Sequence, residues 1–354
     1  MRMRTTMCGI AMAAAALLVG CGDDDGGGGG GGGGSGGGET TKIQIASAPN
    51  VFLAPLYVAE DEGYFEEEGV DAEIVEIEAG TDSVAALVSG NAQIADVGFD
   101  DLIELAEEGE EGLVMSHNIL NRVTLTLVMD KQKAAELDVT RDTPLKERYA
   151  ALKGLRLGVT SPGAPTDKYM RYYLRQAGLS PEKDAEIVPL GGGSSLLAAL
   201  ESGQIDAFQL SPPTPYVAEK EGFGTVLIDG PAGDIEEFSD FLYTAFAANK
   251  EWADENPAAA QGFSRALNKG MTKIQEDPDA AAKQILDQLG TEDLEVTKRT
   301  LKALLPALSK DGCFDEQSVK TALDTMLRTK IIESPGDPKE GVFWSNKYNG
   351  CGGK

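Results

Sequence analysis

Short apolar runs alternate with amphipathic stretches along the first two thirds of the chain, and helical spacing alone fills the last third. A strand is expected over 42–47 and a helix over 54–61, broken by Gly63-Tyr64-Phe65. Over 70–78, Val75 and Ile77 face away from Glu76 and Glu78, and one dry and one wet face predict a strand at a sheet edge. A helix, a strand over 94–98, a helix over 100–108 and a strand over 113–116 follow. That order predicts a parallel sheet with helices on its faces. Residues 118–129 alternate without helical spacing and are long for one strand, so they read as a crossing to a second unit. The second unit repeats the theme: strand 155–160, helix 166–177, strand 187–190, a helix, strand 205–210 and the segment 212–220. Residues 241–249 read as the return crossing. Beyond it Phe263, Leu267, Met271 and Ile274, then Val296, Leu301, Leu304 and Leu308, then Val319, Leu323 and Leu327 recur at helical spacing. They predict helices packed back on the first unit.

One stretch occurs twice. Ala85-Ala86-Leu87-Val88-Ser89-Gly90 with Gln93-Ile94-Ala95-Asp96 returns as Ala198-Ala199-Leu200-Glu201-Ser202-Gly203 with Gln204-Ile205-Asp206-Ala207. Each copy has a Gly- and hydroxyl-rich entry, Gly80-Thr81-Asp82-Ser83 or Gly191-Gly192-Gly193-Ser194-Ser195, which can cap a helix start. Each helix stops at a glycine, and a strand follows. The repeat implies two similar α/β lobes, each offering helix N-termini and strand ends to something held between them.

Composition changes the picture mainly at the N-terminus. Arg2 and Arg4, the apolar region 10–19 and Leu18-Val19-Gly20-Cys21 form an export signal over 1–20, and the tetrapeptide resembles the bacterial lipoprotein box, which implies lipidation of Cys21. Residues 21–41, nearly all Gly between 22 and 38, bury nothing and read as a tether. No stretch reaches the roughly 20 apolar residues of a membrane span. The expected place is therefore the extracytoplasmic face of the cell membrane, held by lipid. A net charge of −27 argues against nucleic acid as a partner. Acidic runs such as Glu66-Glu67-Glu68 are solvated faces or docking surfaces for basic loops of a membrane partner. Of four cysteines, Cys8 leaves with the signal and Cys21 carries lipid, so Cys313 and Cys351 are the expected disulfide. No Cys-x-x-Cys element or His cluster supports a metal site, and no cofactor motif is present.

Pro55-Leu56-Tyr57-Val58-Ala59, with Glu62-Gly63-Tyr64-Phe65 and Glu68-Gly69-Val70, resembles the signature of solute receptors for ABC importers of nitrate, sulfonate, taurine and thiamine-pyrimidine precursors. Residues 152–158, 174–179, 202–207 and Pro212 resemble landmarks of that family's second lobe, and the similarity covers about 42 to 275. The resemblance implies an α/β, two-lobe type II periplasmic-binding-protein fold with C-terminal helices, lobe 1 over 42–124 and 245–354 and lobe 2 over 125–244. It implies a small-molecule solute as ligand, a permease and an ATPase as partners, and a monomer. Where many sulfonate and taurine receptors carry an aromatic residue two positions before the Pro, this chain has Leu210. A surface ligand sensor and a fold-sharing enzyme are the alternative readings.

In open α/β sheets ligands sit beyond the carboxyl ends of strands, near helix N-termini. Lobe 1 then offers Asn50, Phe52, Thr81, Asp82, Phe99 and Asp100; lobe 2 offers Ser161, Thr166, Ser194 and Ser211; Asn118 lies at the crossing. Ser194 and Thr166 fit simple caps as well, and Phe52 fits a core or staple position. His117, the only histidine, fits a hinge hydrogen-bonder better than a base, and no catalytic residue is assigned. With Asp82 and Asp100 and no Arg or Lys among these loops, a neutral or zwitterionic solute is expected, its nitrogen on Asp100.

Overall fold

The computed structural model describes residues 40–77, 80–289 and 291–352, side chains of Gly80 and Thr81 excepted. The export signal, Cys21 and the tether lie outside the described residues. Lobe 1 begins with β1 (Thr41–Ser47), a 3-10 turn (Val51–Leu53), α1 (Ala54–Asp61), α2 (Tyr64–Glu67), β2 (Val70–Glu76) and α3 (Gly80–Val88). It continues with β3 (Ile94–Gly98), α4 (Phe99–Glu107) and β4 (Leu113–Leu120). Lobe 2 holds β5 (Thr126–Asp130), α5 (Lys131–Glu136), α6 (Leu145–Ala150), β6 (Arg156–Val159) and α7 (Pro165–Gln176). It closes with β7 (Glu186–Pro189), α8 (Gly193–Glu201), β8 (Ala207–Leu210), α9 (Thr214–Glu221) and β9 (Gly224–Ile228). After β10 (Thr244–Asn249) come α10 (Lys250–Glu255), α11 (Pro257–Glu276), α12 (Pro278–Gln284), α13 (Leu294–Leu304) and α14 (Glu316–Thr329).

Both sheets have five strands, ordered β2-β1-β3-β10-β4 and β7-β6-β8-β5-β9. The orders superimpose element for element, and the twice-occurring sequence becomes α3 with β3 in one sheet and α8 with β8 in the other. Neither sheet is wholly parallel: β10 runs antiparallel to β3 and β4, and β5 runs antiparallel to β8 and β9. The antiparallel strand of each sheet is the chain's own arrival from the other lobe, which the β-α-β-α pattern alone does not reveal.

The expected crossing over 118–129 divides. Residues 118–120 finish β4, buried along its whole length, and 126–130 form β5, so the link itself is 121–125. Alternation there reflects two strand ends in two sheets. β2 is an edge strand as expected, pairing only with β1, but its dry side is Val70, Ala72 and Ile74, and Val75, expected on that side, is exposed because the strand ends at Glu76.

The last helices do more than cover lobe 1. α11 lies directly on α1, where Gly270 is required because a Cβ would stand 2.4 Å from the Pro55 carbonyl oxygen. α13, however, reaches lobe 2: Val296 joins the core beneath α8 and α9, Asp293 pairs with Lys220, and Arg299 pairs with Glu219. Arg175 of α7 donates to the carbonyls of Thr329 and Lys330 at the end of α14. An amphipathic pattern shows that a face is buried, and not against what. The C-terminal region is thus a strap across both lobes. It is tied at its base by the Cys313–Cys351 disulfide, Cα atoms 5.9 Å apart. Closing a loop of 38 residues contributes about 4 kcal/mol in the chain-entropy model.

Candidate functional site

A cavity of about 210 Å³ opens between the sheets, built from strand ends of both lobes. Lobe 1 supplies Asn50 and Phe52 after β1, Asp96 and Gly98 from β3, Asp101 from α4 and Thr244 at the start of β10. Lobe 2 supplies Thr160 and Ser161 after β6, Thr166 from α7, Gly192 and Gly193 at the start of α8, and Ser211 after β8. One buried water requires about 10–15 Å³ on the same measure, so the space suits a solute of several heavy atoms.

Five of the expected residues share this wall, and most are already wired. Asn50 Oδ1 accepts from the Phe52 amide at 3.2 Å and so caps the turn after β1. Thr166 Oγ1 accepts from the Thr160 amide at 3.0 Å, and Ser211 Oγ lies 2.7 Å from Thr124 Oγ1. Ser161 Oγ is buried and has no hydrogen-bond partner among the described residues.

The other expected residues lie elsewhere. Phe99 packs edge-on against Phe343 at 5.6 Å in the core. Asp82 and Ser194 are exposed on α3 and α8. Asn118 donates to Asn121 Oδ1 at 2.7 Å and lines a separate cavity of about 20 Å³ with His117 and Phe52. The side chain of Thr81 lies outside the described residues. His117 is buried and held neutral, its pKa pulled down to about 4 by burial, and its Nδ1 has no partner among the described residues.

Asp100 is fully buried away from the cavity, and its Oδ2 accepts from Lys168 of α7 at 2.8 Å. The same ammonium meets Glu104 at 2.9 Å and Asp101 at 3.3 Å, so one lobe 2 cation bridges three lobe 1 carboxylates. Burial alone lowers a lysine pKa, but Asp100 and Asp101 outweigh it and hold Lys168 well above its ordinary value. Burial and the neighbouring Asp100 push Asp101 up.

The carboxylate that sequence position did not single out is Asp96. It is 7% exposed, lines the cavity, and its Oδ1 has no partner among the described residues. Burial pushes its pKa up to about 6. The signal was present in Ile94-Ala95-Asp96-Val97, a lone carboxylate inside an apolar strand, which is costly unless something compensates it. Tyr243 and Thr244 carried no such signal. Among the described residues, no Lys, Arg or His lines the cavity. Three helix starts border it, and α4, α7 and α8 all lack a side-chain cap bond. Among the described residues no group of three or more His, Cys, Asp or Glu is arranged to hold a metal ion, and no helix is long and apolar enough to cross a membrane.

Two sheets of one topology, two crossings and a solute-sized cavity between strand ends define the two-lobe periplasmic-binding-protein class. The chain belongs to the NMT1-like family, whose profile matches residues 36–287. It is 24% identical over 311 residues to the Bacillus subtilis binding protein YtlA, covering 87% of this chain and 88% of that one. It is 26% identical over 291 residues to the formylaminopyrimidine-binding protein of Halalkalibacterium halodurans, covering 80% and 82%. The periplasmic aliphatic sulphonate binding protein SsuA of Escherichia coli has the same fold, with a TM-score of 0.65 at 19% identity over 87% of this chain and 98% of that one.

Proposed function

We propose that this protein is an extracytoplasmic solute-binding lipoprotein that captures a small organic nitrogen- or sulfur-containing solute between its lobes and delivers it to an ABC importer. The observation that carries the reading is the cavity itself, enclosed by strand ends and helix starts of both lobes and lined by polar residues of each. A solute gripped from both sides draws the lobes together, and the two links at 121–125 and near 241–243 are where the chain bends. Membership of the NMT1-like family supports the receptor role. Leu18-Val19-Gly20-Cys21 supports attachment through Cys21, with the Gly-rich segment as spacer. Its partners are a permease and an ATPase, the protein acts as a monomer, and it has no catalytic role.

Two measurements test this. Native mass spectrometry of the full chain, purified without refolding, should show a mass increment from retained solute that disappears on denaturation. An importer operating from genes beside this one should lose uptake of that solute when the protein is deleted. Uptake unchanged by the deletion rules the receptor role out. Lipid labelling that persists in a Cys21→Ser variant rules out that anchor.

A further inference from the structure

Each sheet ends in two outer strands, and the four outer edges are protected in different ways. An open strand edge offers free N–H and C=O groups to any extended segment, and charge or proline on the strand blunts it. β2 carries exposed Asp71, Glu73 and Glu76, and β7 carries exposed Glu186 and Pro189. The Leu227 carbonyl of β9 is taken by Arg148 of α6 at 2.6 Å. β4 has no such device. Leu113–Leu120 contains no Pro, Asp, Glu, Lys or Arg, and its one histidine is held neutral. An uncharged, apolar run of about six or seven residues without proline is the kind that pairs with a copy of itself.

Backbone from the region after α13 covers β4 instead, in two pieces. Residues 307–312 take its second half: Asn121 donates to the Ala307 carbonyl at 2.7 Å, Ser309 donates to the Ile119 carbonyl at 2.8 Å, and Asn118 donates to the Gly312 carbonyl at 2.9 Å. Residues 343–345 take the first half, where the Met115 amide donates to the Phe343 carbonyl at 2.8 Å and its carbonyl accepts from the Ser345 amide at 3.0 Å. This second piece runs parallel to β4 at Trp344 and so imitates one more strand. A knot fastens the two pieces together. Cys351 is bonded to Cys313, Asn346 exchanges two hydrogen bonds with the Phe314 backbone, and Asn349 donates to the Gly312 carbonyl.

We propose that residues 337–352 are a guard on the β4 edge, and that the backbone of 113–117 beneath them pairs with β4 of a second copy of this chain once the knot is cut. A twofold axis sets two identical edges antiparallel, each supplying the donors and acceptors the other needs, and joins two five-stranded sheets into one. The net charge of −27 opposes the encounter, but β4 carries none of it, and charges farther away than about 8 Å are largely screened at physiological salt.

The test uses the full chain at physiological ionic strength, once oxidised and once with the knot cut by Cys313→Ser, Cys351→Ser and Asn346→Ala together. None of these side chains bonds to β4, and the variant is kept in dithiothreitol so that no new disulfide joins two copies. Sedimentation velocity should find the oxidised chain monomeric and the variant doubling in mass as its concentration rises. Amide exchange over 113–117 should be about tenfold faster in the dilute variant than in the oxidised chain, and slow again in the dimer. A synthetic peptide of residues 337–352 should return the variant to monomer. A variant that stays monomeric overturns the proposal, as does exchange over 113–117 that does not change on cutting the knot. Association that leaves 113–117 open overturns it too, and so does loss of protection across both sheets at once, which would make the knot part of the scaffold.

Discussion

The lobes share one strand order but use the buried polar residue of the third strand in opposite ways. In lobe 2, Gln209 of β8 is fully buried and its Nε2 donates inward to the Thr166 carbonyl. In lobe 1, Asp96 of β3 is nearly as buried and lines the cavity. The hydroxyls of lobe 2 follow Gln209: Thr160 is paired with Thr166, and Ser211 with Thr124 of the link. Lobe 2 therefore uses most of these groups, Ser161 apart, to hold its own loops in place, while lobe 1 sets a carboxylate on the cavity wall. A shared topology fixes where a solute can sit, while single side chains at matched places decide what it is.

The largest expected effect comes from the bridge between the lobes. Lys168→Met leaves Asp100 buried without its cation, and breaking such a pair costs about 3–5 kcal/mol. The melting temperature should fall, solution scattering of the ligand-free chain should show a larger radius of gyration, and adding Asp100→Asn should restore part of the loss. Unchanged melting and radius would show that the cluster does not hold the lobes.

A smaller effect tests the Gln209 and Asp96 contrast directly. Gln209→Leu removes a buried hydrogen bond to the Thr166 carbonyl, a loss of about 1 kcal/mol. Asp96→Asn removes a buried carboxylate whose burial outweighs the Ser47 hydroxyl beside it, so the ligand-free chain should unfold at equal or higher denaturant. If the two substitutions destabilise alike, the supposed division between scaffold and charge carrier is wrong.

The smallest effect is in pH. Asp96 must be ionised to hold a cationic group, so affinity for a solute that places one there should be flat above pH 6 and fall by up to about tenfold per unit below it. Stability runs the other way. The folded pKa of about 6 lies above the unfolded value near 3.9, so the contribution of Asp96 is full below the latter and lost as pH rises through the former. The groups facing this region are Asp101, also raised, the Lys168 cluster, Ser47 of β1 and Tyr57 of α1. Asp96→Asn should therefore flatten the affinity profile, and a profile that survives the substitution assigns the titration to Asp101.

Much of the fold was legible because its signals are local. The edge character of β2, the strand at 94–98 and the doubled helix-strand unit each follow from spacing within a dozen residues. The candidate site was less legible because a strand end gives a location and no direction. Successive residues on a helix point about 100° apart. Asp101 thus meets the cavity while Asp100 beside it turns to Lys168, and Gly193 lines the wall while Ser194 faces solvent. Tyr243 and Thr244 reach the cavity only because β10 inserts between β3 and β4, a pairing set by residues far apart in sequence.

The receptor reading requires one solute held between the two lobes, against strand ends and helix starts of both. The most direct measurement is a crystal structure of the full chain with the solute it retains. Density in the cavity, in contact with lining residues of both lobes, is the expected result. A solute bound outside the cavity, or inside it against one lobe alone, would contradict it.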